Sequence, residues 1–207
     1  MGAEVWPMLH EERSDFVDYL RTLTPADWDK PSLVEGWRVK DVVAHLIAGA
    51  KSTPPKFLRA MIGAGMSFDT MNAKAISREV DRTPDEFVSA LESLVATRTR
   101  PGTALLGEII VHGEDVRRAL GTPGTYATEH LTVVADNYRK AGAPIRGKQR
   151  TKALALTATD TDWSAGDGAP VSGPMLALVL AMTGRPVGLG ELTGDGVTVL
   201  AERQKLS

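Results

Sequence analysis

The sequence predicts a mainly helical protein: a helical bundle over residues 1–145 followed by a small α/β appendage over 146–207. Three observations carry that expectation. Apolar residues recur at three- and four-residue steps through the first two-thirds of the chain. Proline and glycine pairs punctuate those stretches where helices would end. Near residue 146 the pattern changes to short extended runs of Ala, Leu and Thr. At 207 residues the chain is long enough to bury a substantial core as one domain or as a larger one with a small companion.

The elements follow in order. Trp6, Leu9, Arg13, Phe16, Val17 and Leu20 make one stripe on a helix of about 18 residues. Thr24-Pro25-Ala26-Asp27 offers a cap with proline at the first helical position, a short turn. Trp37 opens a second helix through Ala50, with Val39, Val42, Val43, Leu46 and Ile47 inward. After Pro54-Pro55, residues 56–80 read as two short helices. Thr83-Pro84-Asp85-Glu86 is a capping box, and its helix carries Phe87, Leu91, Leu94 and Val95 inward. Pro101-Gly102 precedes a helix over 103–120 that Gly121 and Pro123 terminate, and a last bundle helix spans about 128–141. Arg146 to Lys152 is polar and basic, an exposed linker. Ala153 to Thr159 reads as a strand, Val171 sits in a second extended piece, Gly173 to Thr183 is a helix, and the tail near Val197–Glu202 is short and helical or extended.

Charge and composition narrow the partners. With 24 basic and 26 acidic side chains, the chain offers no electrostatic reason to bind nucleic acid or an anionic membrane. No apolar run approaches the roughly 20 residues of a membrane span. The first residues lack the apolar stretch of a secretory signal, so a cytoplasmic protein is expected. Cysteine is absent, which excludes disulfides, thiolate ligands and a protein thiol nucleophile. Any sulfur chemistry must use a thiol from outside.

Four histidines remain as candidate chemistry. His10-Glu11-Glu12-Arg13-Ser14 begins like the HExxH helix of zinc proteases, but Ser14 stands where the second histidine is required. His10 and His130 are expected at the surface. Glu108 and His112, in contrast, lie one helical turn apart, with Cβ atoms roughly 5–6 Å apart, at the edge of an arc centred on Leu105, Ile109, Val116 and Leu120. Asp115 continues the strip, either pairing with Arg117 or Arg118 or supporting a ligand from behind. His45 flanks the stripe of its own helix in the same way. Two ligands from one helix and one from a neighbour is a common metal site in bundles, and three protein ligands would leave coordination open. By itself an E-x-x-x-H helix more often carries a surface pair or a satisfied core histidine.

The segment Leu23–Leu46, LTPADWDKPSLVEGWRVKDVVAHL, resembles the N-terminal signature of the mycothiol-dependent maleylpyruvate isomerase family, within the DinB/YfiT-like superfamily of metal-binding bundles. Glu108 to Gly121, with its E-x-x-x-H-x-x-D-x-x-R-A-x-G spacing, resembles a second block of that family. Gly184-Arg185-Pro186 and Leu192-Thr193-Gly194-Asp195-Gly196 resemble its C-terminal region. The resemblance implies a DinB-like four-helix bundle in which His45, Glu108 and His112 bind a divalent metal. Zinc ranks first by ligand type, and nickel, cobalt or iron also accept such ligands.

It further implies mycothiol as thiol cosubstrate, activated as a metal-held thiolate toward a small electrophilic substrate. An isomerase would add the thiolate to a conjugated double bond, allow rotation and release it; an S-transferase would leave it attached. Arg185 is the candidate for binding a substrate carboxylate, with a structural role at a helix terminus as its alternative. Metal-dependent hydrolysis by bound water, or a non-catalytic metal-binding or interaction protein, are the competing functions.

Overall fold

The structure, a computed structural model, describes residues 4–205. Two compact units divide the chain at Thr125 and Tyr126.

The first unit is built from six helices. Helix α1 (Val5–Arg21) buries Leu9, Phe16, Val17 and Leu20, the stripe read from the sequence. A 3₁₀ turn, Pro25–Asp29, follows the Thr24 cap. Helix α2 (Val39–Lys51) is succeeded by α3 (Pro54–Gly63), α4 (Phe68–Ile76) and α5 (Pro84–Glu92). Helix α6 (Gly102–Arg117) closes the unit. α1 packs on α5 and α6, and α2 packs on the same two, so these four form a closed four-helix bundle. α4 lies against α2 outside that ring. The expected capping box at α5 is present, with the Thr83 N–H donating to Glu86 Oε2 at 2.8 Å.

Arg13 shows why a charged residue can occupy a core stripe. It is 3% exposed, and its Nη1 donates to the carbonyls of Leu94, Val95 and Thr97 at 3.0–3.2 Å. These carbonyls lie just beyond α5, where the chain no longer supplies helical partners. Burial pulls the Arg13 guanidinium down to about 10, and the negative charge of Glu108 acts in the opposite direction.

The second unit contains α7 (Thr128–Tyr138), the single turn α8 (Gly147–Arg150), strands β1 (Leu154–Ala158), β2 (Ser164–Ala165) and β3 (Ala169–Gly173), α9 (Met175–Met182) and α10 (Gly196–Glu202). The sheet order is β2-β1-β3, with β1 parallel to β3 and antiparallel to β2. α9, apolar all round, packs on α7 and touches β1 and β3.

Four expectations are corrected. The helix expected to end the bundle, α7, belongs to the second unit because α9 covers Leu131, Val134, Ala135 and Tyr138. An amphipathic stripe says that a face is buried, not against what. Trp37 precedes α2 rather than opening it. The 146–152 stretch is not a simple exposed linker: it holds α8, whose Gly147 and Arg150 are buried. Of the two histidines expected at the surface, His130 is buried. His130 is 2% exposed, on the inward face with Leu131, and His10 is half-buried. Burial first, then the charges of Arg98 and Arg13, push the His10 imidazole below its ordinary range.

Candidate metal centre

The site is assembled by two neighbouring helices and one loop of the first unit. α2 starts where Asp41 folds back on Arg38, its Oδ2 accepting from the Arg38 backbone N–H at 2.8 Å and from Nε at 2.9 Å. From that start, Val39, Val42, Val43, Leu46 and Ile47 fall in the core, and His45 emerges at the edge of the stripe. α6 buries Leu105, Ile109 and Val116 and carries Glu108 and His112 on the adjoining strip. Where the helices meet, the His45 and His112 rings are 4.8 Å apart between centroids and nearly perpendicular, at 70°. The structure thus brings together two of the three expected ligands.

Asp115, one turn beyond His112, is 1% exposed and places Oδ2 at 2.9 Å from His112 Nδ1. An ionised carboxylate only accepts hydrogen bonds, so Nδ1 carries a proton, and whenever the ring is neutral its lone pair lies on Nε2. That is the tautomer a metal-binding histidine uses when a carboxylate backs it. Asp115 thus faces His112, and Arg118 Nε donates to Glu114 Oε2 at 2.7 Å.

Trp37 completes this level. Its ring lies 5.3 Å from His45 and 6.4 Å from His112, the latter stacked at 20°. The loop before α2 holds it there through a Pro31–Arg38 bridge and bonds from the Ser32 N–H to the Trp37 carbonyl (2.8 Å) and the Trp37 N–H to the Val34 carbonyl (3.0 Å). Gly36, at φ +76°, takes the left-handed conformation that the reversal requires. The loop is tied to α6 by the Leu33 N–H, which donates to the Asp115 carbonyl at 3.0 Å. That carbonyl belongs to the last turn of α6, where helical donors run out.

Glu108 is placed differently. Its Oε2 is bonded at 2.5 Å to Arg100 Nη2, from the segment between α5 and α6. A Cβ at Gly49, one turn past His45 on α2, would stand 3.2 Å from both atoms of that pair. Glycine there gives the ion pair its room between the helices.

A divalent ion suits this set by chemistry: two imidazoles, one already in the ligating tautomer, and a carboxylate on the adjacent turn. In position the fit is partial, because the carboxylate is engaged by Arg100. Among the described residues, no three histidine, aspartate or glutamate side chains close round a common point. A groove of about 580 Å³, lined by residues that include Arg78, Glu79 and Arg82, shares no residue with this site.

Arg185 lies in the second unit and donates from Nη1 to the Thr183 carbonyl at 3.1 Å, at the end of α9. Trp37 and Arg100 are the two site residues the sequence reading missed. Trp37 was visible in the Gly36-Trp37 motif but was assigned to helix. Arg100 sits in a loop, where no period signals direction.

A four-helix bundle with a histidine pair, a backing carboxylate and an aromatic wall defines a candidate metal-binding helical protein. Residues 9–101 match the family model described as the mycothiol maleylpyruvate isomerase N-terminal domain. The match includes His45 and ends before Glu108 and His112. Two crystal structures resemble the whole fold, that of the mycothiol-dependent maleylpyruvate isomerase and that of a histidine-to-alanine mutant of the enzyme. Their TM-scores are 0.64 and 0.62, each at 18% identity, with 92% of this chain and 91% of the other covered. No curated protein matches this chain. No helix among the described residues is long and apolar enough to cross a membrane.

Proposed function

We propose that this protein is a divalent-metal-dependent enzyme that activates a low-molecular-weight thiol, mycothiol by family relationship, for isomerisation of, or transfer to, a small electrophilic substrate. His45, Glu108 and His112 would hold the ion, with zinc the first candidate. The observation that supports this most is the meeting of His45 and His112, with Asp115 setting the His112 tautomer. Bound there, a divalent cation lowers the pKa of a thiol so that it reacts as thiolate near neutral pH.

The chain's own residues supply the rest. Asp115 keeps the Nε2 lone pair of His112 directed away from the carboxylate. Trp37 walls one side of the imidazoles and limits water there. His112 and Glu108 keep 16% and 27% of their side-chain surface, so the pair is within reach of a molecule from solvent. With cysteine absent from the chain, the thiol must come from a diffusible partner. A cytoplasmic setting, where such thiols are kept reduced, suits the reaction.

The test is metal analysis of protein purified without added metal, beside H45A and H112A, followed by thermal shift with a panel of small thiols including mycothiol. Stoichiometric metal lost in both variants, and a thiol-dependent melting shift that requires the metal, are expected. Full metal retention in both variants overturns the site; metal without any thiol response overturns the thiol chemistry and leaves hydrolysis or a structural ion.

A further inference from the structure

The Arg100–Glu108 ion pair is seated against Gly49, with 16% and 27% of the two side chains exposed. The chain preserves room for it, since any side chain at Gly49 would press on both partners. We propose that Arg100 is a positioning residue that governs access of the divalent ion to Glu108. Its guanidinium occupies the carboxylate when the ion is absent and competes with the ion for it.

The inference rests on the metal reading above and on three observations. Glu108 lies one turn from His112 on α6, and Gly49 one turn from His45 on α2, so the carboxylate sits one level along the seam from the histidines. The bond to Arg100 joins two ionised groups, the charge-assisted and stronger class of hydrogen bond. Arg100 comes from the segment between α5 and α6, outside either helix, so it can withdraw without disturbing the backbone that carries the ligands. A guanidinium and a divalent cation neutralise the same carboxylate charge, and binding the ion must repay the loss of that hydrogen bond. Arg100 therefore lowers the affinity of the site and raises its selectivity for ions that bind the histidine pair tightly enough to draw Glu108 across.

Zinc affinity, measured by competition with a chromophoric chelator at fixed pH, tests this in the wild type, R100M, R100K and R98M, with H112A alongside. Loss of one charge-assisted bond to Glu108 predicts that R100M binds zinc about tenfold or more tightly than wild type, with R100K between them. Arg98, two residues before Arg100, stacks over Trp6 at 5.2 Å, so R98M removes a positive charge from the same segment and is expected within about twofold of wild type. Equal or weaker zinc binding by R100M, with binding still abolished in H112A, overturns this inference alone. An R98M effect as large as that of R100M also overturns it, because general electrostatics would then suffice. Zinc binding absent from wild type and R100M alike overturns the metal reading together with the inference. If R100M does not fold, the Arg100 Nε–H resonance of wild type decides: a shift on zinc addition supports competition, and an unchanged signal while the histidine ring signals move overturns it.

Discussion

One helical turn separates two polar levels on the seam between α2 and α6, and they are built on opposite principles. At the level of His45 and His112 the partners are aromatic and anionic: Trp37 covers the rings and the buried Asp115 carboxylate orients one of them. At the level of Gly49 and Glu108 the small residue admits a guanidinium, and the carboxylate is neutralised from outside the helix pair. On the proposed reading, the first level receives a cation. The second already holds one, supplied by the chain. The difference teaches that ligand-type residues at ligand spacing do not by themselves form a site, because each must also be left available by its neighbours.

The comparison can be broken at either level. The largest effect is expected from H112A and H45A, each lowering zinc affinity by more than about 100-fold, beyond the roughly 10–100-fold typical of residues that only orient a ligand. A chelator-competition titration measures it, and parity between either variant and wild type would remove the first level as a binding site. D115N should cost about 10–100-fold in the same titration, since the amide no longer demands a proton on Nδ1. No change there would mean that the Asp115 carboxylate does not set the proton position on the imidazole. T83A, at the α5 cap and remote from both levels, should lower stability by about 1 kcal/mol in a denaturant melt while zinc affinity stays at the wild-type value. It separates loss of fold stability from loss of the site. The smallest effect belongs to G49A. The 3.2 Å contacts fall on flexible side-chain ends that can retreat, so the helix-propensity gain of less than about 1 kcal/mol should survive. A clear destabilisation in the melt would instead show that the ion pair has no room to yield.

Much of the bundle was legible. The stripe Leu9–Phe16–Val17–Leu20, the Thr83–Glu86 box and the Pro101-Gly102 break all follow from local propensity and period, which are properties of consecutive residues. The placement of His45, Glu108 and His112 on stripe edges was legible for the same reason. Arg100 was not, because a loop residue's direction depends on where the chain returns after α5. Trp37 was read as helical since its neighbours are, yet the Leu33–Asp115 bond holds it in a loop. His130 was read as exposed because an early-helix polar residue has no local mark of burial; α9, far along the chain, lies against the helix that carries it.

From the sequence by itself came the helical class, the appended strands, the absence of any protein thiol and the two turns of α2 and α6 on which ligands could sit. These depend on residue type and short-range spacing, which local physics reads directly. The tertiary structure decided that the two histidines meet, that Asp115 faces His112, that α7 joins the second unit, and that Glu108 is engaged by Arg100. Each of those is a choice among partners distant in sequence, and the relative rotation of packed helices selects it.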